Sequence, residues 1–326
     1  MTATRRMFVT SIALAAILSA APAMAQEFPS QPVKLVVPYP PGGGVDGLAR
    51  PLAERLSQAW SKPVIVENKP GASTIIGTEY VVKSAPDGYT LLFTSDSTIT
   101  SNPHLFKKLT YDPLKDLAPV TQLIDLHQMV VVHPSVSASS MSELVALAKA
   151  NPKALNYASY GVGSQPHLLF EMLKKETGIE IEQVPFKGIA PALTAVVAGE
   201  TQMTLGGAAT SSGHMKAGRL KALAISRPTR LPNHPEVPTL PDAGFPGIDP
   251  QSWFGMFAPA RTPPEILEKI QKATAAVLNE TDFKARYVDG PGYTGVGQPP
   301  EAFARFLTAD MAYKKRLISV TGITAE

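Results

Sequence analysis

One pattern constrains this chain more than any other. Short apolar runs alternate with Gly- or Pro-bearing turns and with apolar spacings of helical period. Val33-Lys-Leu-Val-Val-Pro38 reads as a strand and Gly42-Gly-Gly44 as the turn. Val45, Leu48, Leu52, Leu56 and Ala59 then form one face of a helix. Residues 64–67 and 90–94 are further strands, with a helix over 74–84 between them that ends before the turn Pro86-Asp-Gly88. Strands follow at 129–133, 155–159, 182–185, 203–205 and 222–226. The helices between them span 142–150, 166–177 and 190–198; Ser140 or Ser142 caps the first, and Gly178 and Gly199 stop the other two. Amphipathic helices over 264–279 and 300–319 close the chain. The alternation predicts α/β units with mainly parallel sheets. Pro51 conflicts with the first helix, which is expected to kink there or to become regular only from there.

The chain has 326 residues, too many for one ordinary core, so two domains are expected. Residues 1–25 have the layout of a secretory signal peptide: Arg5 and Arg6, an apolar stretch over 11–20, and Ala23-Met-Ala25 as a small-x-small cleavage pattern. That stretch is too short for a transmembrane helix. Arg5-Arg6 also permits twin-arginine export, ranked below the general secretory route. The formal net charge is +3, of which Arg5 and Arg6 supply two, and no basic run argues for nucleic acid. The absence of Cys removes disulfides, thiolate metal sites and cysteine nucleophiles together. The segment from Arg227 to Pro250, rich in Pro and Gly, reads as an extended connection, and Trp253-Phe-Gly-Met-Phe-Ala258 as the chain crossing back to the first domain.

The chemistry is expected at two strand–loop–helix junctions. One runs from Tyr39 through Gly42, Gly43 and Gly44 to Asp46. The other runs from Ser159 through Gly161, Gly163 and Ser164 to His167. Helix starts carry unpaired N–H groups and partial positive charge, and Gly lets a ligand approach the backbone closely. Such junctions bind anions without a cationic side chain, and in open α/β sheets ligands sit at the carboxyl ends of strands. Neither loop is a P-loop or a dinucleotide fingerprint. Asp46 suits a helix start by charge alone, and Ser164 is expected to cap its helix. A hydrolase using Ser164 and His167 is the reading from another class, but Gly161-Val-Gly-Ser-Gln165 lacks the closing Gly of a nucleophile elbow. The six scattered His residues show no metal-binding spacing.

At these motifs the sequence resembles the Bug family, the extracytoplasmic solute receptors of tripartite tricarboxylate transporters. The resemblance runs in order through Pro32-Val-Lys-Leu-Val-Val-Pro-Tyr-Pro-Pro-Gly-Gly43, Val64-Ile-Val-Glu-Asn-Lys-Pro-Gly-Ala72, Ala85-Pro-Asp-Gly-Tyr-Thr-Leu-Leu92, Leu155-Asn-Tyr-Ala-Ser159, Val184-Pro-Phe-Lys-Gly188 and Ser252-Trp-Phe-Gly255. It implies a two-domain periplasmic-binding-protein fold of the type II, Venus-flytrap kind, with a carboxylate held between the lobes. Lobe 1 is then expected over 26–124 and 252–326, and lobe 2 over 125–251. The loops Tyr39–Asp46 and Ser159–His167 would hold one carboxylate, and Ser95, Asp96 and Ser97 would meet the rest of the ligand. The implied setting is the periplasm, with a two-component membrane permease as partner, no cofactor and a monomeric chain; a sensory receptor presenting its closed form to a kinase is the alternative role. One departure matters. Relatives commonly carry Asp after the strand that ends at Leu205, where this chain has Gly206-Gly207. Less charge and more room there imply a ligand that is not an amino acid and is bulkier or aromatic.

Overall fold

The computed structural model describes residues 28–227, 229–248 and 252–324; the expected signal peptide over 1–25 lies outside the described residues. Two sheets organise the chain. The first holds β1 (Val33–Val37), β2 (Val64–Asn68), β3 (Thr90–Ser95), β4 (Leu117–Leu126), β10 (Ser252–Pro259) and β11 (Thr294–Gly295), in the order β11-β4-β10-β3-β1-β2. The second holds β5 (Gln128–Val132), β6 (Asn156–Ser159), β7 (Glu182–Pro185), β8 (Met203–Gly207) and β9 (Lys221–Ser226), in the order β7-β6-β8-β5-β9. Helices α1 (Gly44–Trp60), α2 (Ile75–Val82), α3 (Asn102–Leu105), α8 (Pro264–Asn279), α9 (Thr281–Phe283) and α10 (Pro300–Thr321) accompany the first sheet. Those accompanying the second are α4 (Met141–Ala150), α5 (Gln165–Thr177), α6 (Ile189–Val197) and α7 (Ala208–Lys216). Each sheet with its helices is one lobe of a two-lobe α/β fold.

Both sheets are mixed, which corrects the expectation of mainly parallel ones. In the first, β1 pairs in parallel with β2 and β3, while β10 runs antiparallel to β3 and β4, and β11 antiparallel to β4. The second has β6 parallel to β7 and β8, with β5 antiparallel to β8 and β9. The reversal of β5 and β10 has a common cause. The glycine loops leave the carboxyl ends of β1 and β6, so those ends form the edge where the lobes meet. β4 leaves lobe 1 at that edge, passes His127 and becomes β5; β10 enters lobe 1 at the same edge after lobe 2 is complete. A strand that starts at the edge where its neighbours finish must run against them.

Local sequence explains the helices that matter for the site. Val45, Leu48, Leu52 and Leu56 bury one face of α1, which continues through Pro51 to a left-handed Ser61. Pro51 deprives the carbonyl of exposed Gly47 of its donor, so the lost bond faces solvent and the helix tolerates it. Ser140 caps α4 by accepting from the Glu143 amide, and left-handed Gly178 stops α5. The extended connection after β9 is not loose: Leu240, Phe245 and Ile248 complete the core of lobe 2. Trp253 is fully buried in lobe 1, edge-on to Phe303 at 5.4 Å between centroids, and its indole N–H donates to Asp310 Oδ2 at 2.9 Å. α10 serves both lobes. Its first half packs Phe303 and Leu307 with Trp253 and Phe257, and its second half packs Leu317 and Ile318 with Leu105 of lobe 1 and Leu168 of lobe 2.

Gly255 lies under the aromatic group, where an added Cβ would stand 2.7 Å from Phe303 and 2.9 Å from Trp253. Gly255→Ala is expected to destabilise by about 1–3 kcal/mol through overpacking. Urea denaturation measures it, and a neutral result would mean that the aromatic rings can shift.

Candidate functional site

The first glycine loop is braced from within. Gly42 turns the chain with φ +85°, and its amide donates to Asp46 Oδ2 at 2.9 Å. Arg50 Nε donates to the same oxygen at 2.9 Å, and Asn68 Nδ2 donates to Asp46 Oδ1 at 2.9 Å and to the Tyr39 carbonyl at 3.1 Å. Of the two roles open to Asp46, orienting the loop or meeting a ligand, its bonds serve the first: both oxygens are engaged in holding the loop. Burial alone would raise its pKa, but the Arg50, Gly42 and Asn68 donors hold the carboxyl below its usual range. Glycine at the N-cap, Gly43, provides no side chain to cap α1. The N–H groups of that helix's first turn therefore have no side-chain cap.

Next to this loop stands a cluster of hydroxyls. Tyr39 Oη lies 2.7 Å from Ser95 Oγ, 3.2 Å from Thr98 Oγ1 and 3.3 Å from Ser97 Oγ. Ser95 and Ser97 are 2.9 Å apart, and Thr98 reaches Thr74 at 2.9 Å. Hydroxyls of this kind donate or accept as a ligand requires. Ala72, Ser73 and Thr74 precede α2 with φ of 44°, 51° and 78°, a left-handed run of non-glycine residues beside the cluster.

Asp96, expected beside the ligand, is fully buried and bonded to protein groups. Gln165 Nε2 donates to both its oxygens at 2.7 and 2.9 Å, Ser252 Oγ donates at 3.2 Å, and Lys314 Nζ forms an ion pair at 2.9 Å. Burial pushes the Asp96 carboxyl up while Lys314 and Gln165 pull it down. Lys314 resists its own burial and stays above its ordinary pKa because Asp96 and Asp310 face it.

The second glycine loop uses Gly161 at φ +120° and Gly163 at φ +73°. Ser159 Oγ accepts from Gln183 Nε2 at 2.7 Å. Ser164 does not cap α5 with its side chain, as had been expected. Its hydroxyl turns back and donates to the Gly161 carbonyl at 2.6 Å, which leaves the α5 start uncapped among the described residues. His167 Nδ1 accepts from the Gly163 amide at 3.1 Å, and burial pushes its pKa down, so the ring is neutral with its proton on Nε2. Serine and histidine thus each hold the loop separately, and no nucleophile–base hydrogen bond joins them.

Groups that flank the two loops lie close together. Tyr160 donates to Gln165 Oε1 at 2.6 Å and accepts from Gln128 Nε2 at 3.0 Å; burial pushes the phenol up, and Tyr39 and Asp96 both lie close enough to add to that. Gly163 lies against Leu105 of lobe 1 so closely that an added Cβ would overlap it. At the crossing between lobes, burial raises Asp125 to about 6 and lowers His127 to about 4, with Arg227 facing both. Gly206 does not supply the expected room: an added Cβ there would meet Ser211 Oγ at 2.6 Å, so protein fills the space. Gly207 starts α7 without a capping side chain. The sequence offered no signal for Tyr160, Gln165, Gln128 or Lys314, whose roles depend on partners brought together by the fold. An open groove of about 620 Å³ lies behind the second loop, between His167, Lys174 and Ile323, and does not include the hydroxyl cluster.

Two outcomes are expected. Asp46→Asn should lower stability by about 1–3 kcal/mol at pH 7 by weakening charge-assisted bonds. Because the folded-state pKa of Asp46 is depressed, its contribution is complete above the ordinary Asp value and fades as pH falls through the lower folded one. The difference from wild type in urea denaturation should therefore shrink at pH 3, and a constant difference would remove the electrostatic explanation. Gly163→Ala should weaken ligand binding by more than tenfold, since its methyl would overlap Leu105 in a left-handed conformation. Adding Leu105→Ala should restore part of that loss in a binding titration, and no restoration would mean that backbone strain alone is responsible.

Residues 48–323 match the family model described as tripartite tricarboxylate transporter family receptor. The chain is similar to Protein BugT of Bordetella pertussis, 37% identical over 323 residues that cover 99% of each chain. Among solved structures it is similar to Rpa4515 of R. palustris with adipate, at TM-score 0.84 and 32% identity, covering 91% of this chain and 99% of that one. It is also similar to MatC of Rhodopseudomonas palustris with bound malate, at TM-score 0.81 and 28% identity, covering 89% of this chain and 100% of that one.

Proposed function

Because this chain belongs to the tripartite tricarboxylate transporter receptor family, a family of solute receptors and not of enzymes, we propose that it captures a small organic carboxylate between its lobes and delivers it to a two-component membrane permease. The observation that carries this reading is that α5 starts without a side-chain cap at Gln165, which bonds Asp96 next to the Ser95 and Ser97 hydroxyls, while α1, also without such a cap, follows Tyr39, whose hydroxyl meets the same two serines. A carboxylate placed there receives backbone N–H donors in the favourable field of both helices, without a cationic side chain. Gly42, Gly43 and Gly44 supply close approach from one lobe, and Ser159, Gly161, Gly163 and Ser164 from the other. Asp46, His167 and Asp96 act by holding these parts. Closure excludes water and strengthens each hydrogen bond to the ligand.

The relatives solved with adipate and malate support an acid as cargo. Neither Gly206 nor Gly207 offers an acid to an ammonium group, which favours a carboxylate without an amine. The space filled by Ser211 withdraws the argument for a bulkier or aromatic one. Lobe boundaries near 125 and 251, an export signal over 1–25, a periplasmic location and a monomeric receptor complete the proposal. No helix among the described residues is long and apolar enough to cross a membrane.

Calorimetric titration of the exported protein with succinate, malate, adipate, citrate, phthalate, aspartate and glutamate tests the reading. One class of amine-free acid should bind, and at 100 times its dissociation constant should add about 2.7 kcal/mol of stability. Binding confined to the amino acids would overturn the ligand class, and no binding by any acid would overturn the receptor reading.

A further inference from the structure

Asp96, Lys314 and Gln165 lie outside the groups proposed to touch a ligand, yet they are among the most deeply buried polar residues of the chain. Their arrangement is directional. Asp96 follows β3 of lobe 1, Ser252 begins the strand that re-enters lobe 1, and Lys314 comes from α10, whose first half packs on lobe 1. Gln165 is different. It is the first residue of α5 in lobe 2, and its amide reaches across to both Asp96 oxygens. Tyr160, also of lobe 2, holds the Gln165 carbonyl and so points its NH2 group at Asp96.

We infer that Gln165 is a positioning residue for closure: its bond to the Asp96 carboxylate latches lobe 2 onto lobe 1 independently of any ligand, and so sets how often the empty receptor is closed. The inference deepens the receptor reading and rests on it. Three features support a latch over passive packing. The acceptor is a carboxylate already tied to Lys314, so the bond is charge-assisted and stronger than one between neutral groups. Both oxygens are engaged by one amide, a geometry that a small rotation between lobes would break. The adjoining contact, Gly163 against Leu105, also joins the lobes and closes the apolar side of the same joint. When the lobes part, Asp96 keeps Lys314 and Ser252, while Gln165 exchanges its acceptor for water. The latch therefore favours closure without committing the receptor to it.

A ligand shifts the open–closed balance only by contacts better made in the closed form, and a prior bias toward closure raises its apparent affinity. Loss of the latch should weaken every ligand by the same factor. Loss of a ligand-contacting group should instead change the order of preference.

The chain contains no Cys, so Lys83→Cys on lobe 1 and Lys187→Cys on lobe 2, both exposed positions, accept a spin-label pair with no background. Electron–electron resonance then gives the distance distribution of the empty protein, with no assumption about its cargo. The wild type should show closed and open populations. Gln165→Ala should move the ratio toward open by about tenfold or more, the order expected for losing a hydrogen bond to a charged group. Tyr160→Phe, which keeps the ring, should move it less in the same direction, and it carries the test if Gln165→Ala fails to fold. Titration of the variants should show one common factor of affinity loss across all acids that bind. An empty wild type found entirely open would overturn the inference. So would distributions that neither substitution moves, which would make the contact a fixed joint. Both results can be read even if no carboxylate proves to be the cargo, so a failure of the latch is distinct from a failure of the receptor reading.

Discussion

A charged carboxylate with 0% exposure must be answered by protein on every side, and Asp96 is such a group. Its partners come from far apart in the chain: Gln165 from α5, Ser252 from β10 and Lys314 from α10. The pair with Lys314 is itself a poor source of net stability, because both charges give up their water and their attraction roughly compensates for it. Its effect is on geometry. Once Lys314 is committed to Asp96, α10 cannot slide along lobe 1, and Asp310 one turn earlier is placed to accept from Trp253 and Thr100. The end of β3, the return of the chain at β10 and the closing helix are thereby fixed at one point, and the hydroxyl cluster of Ser95, Ser97 and Thr98 surrounds it.

The same point lies at the edge where the two sheets meet. Because the chain crosses between lobes at the carboxyl ends of β1, β3, β6 and β8, the entering strands β5 and β10 run in reverse. Glycine loops, helix starts and crossings are then gathered on one edge of each lobe. The ligand site proposed there is built mainly of backbone, whose groups the fold positions with little help from side-chain identity. Side chains near it, Asp46 and His167 among them, act largely by keeping the loops in place.

Much of this was legible from residue order. The apolar period and the stop signals located α1, α5 and α8, and the Ser140 cap, to within a residue or two, because local propensity and tertiary packing agree there. Other elements gave no local signal. β4 carries Pro119, Thr121 and Gln122 among its apolar residues, and α7 is rich in small and polar ones; neighbours complete both. Strand direction escaped for a different reason, since residue pattern reports which face is buried but not which way a strand runs. Among the expected site residues, the glycines of both loops and the Ser95 and Ser97 hydroxyls lie at or just beyond the carboxyl ends of β1, β3 and β6. Asp96 is placed beside the ligand by the family resemblance, through its position after β3, and nothing local reveals that Lys314, 218 residues later, pairs with it. Gly206 looked like vacated space because Ser211, which fills it, is visible only once α7 folds back.

The proposed receptor holds one carboxylate by backbone from both lobes at once. A crystal structure with a bound dicarboxylate is the test. One carboxylate group is expected between the Gly42–Gly44 loop and the Ser159–Ser164 loop, within hydrogen-bond reach of amides from each, with Asp96 still bound to Gln165 and Lys314. A ligand held instead by side-chain cations, for example at the cavity between Arg55 and Arg286 on the outside of lobe 1, or one that displaces Gln165 from Asp96, would contradict it.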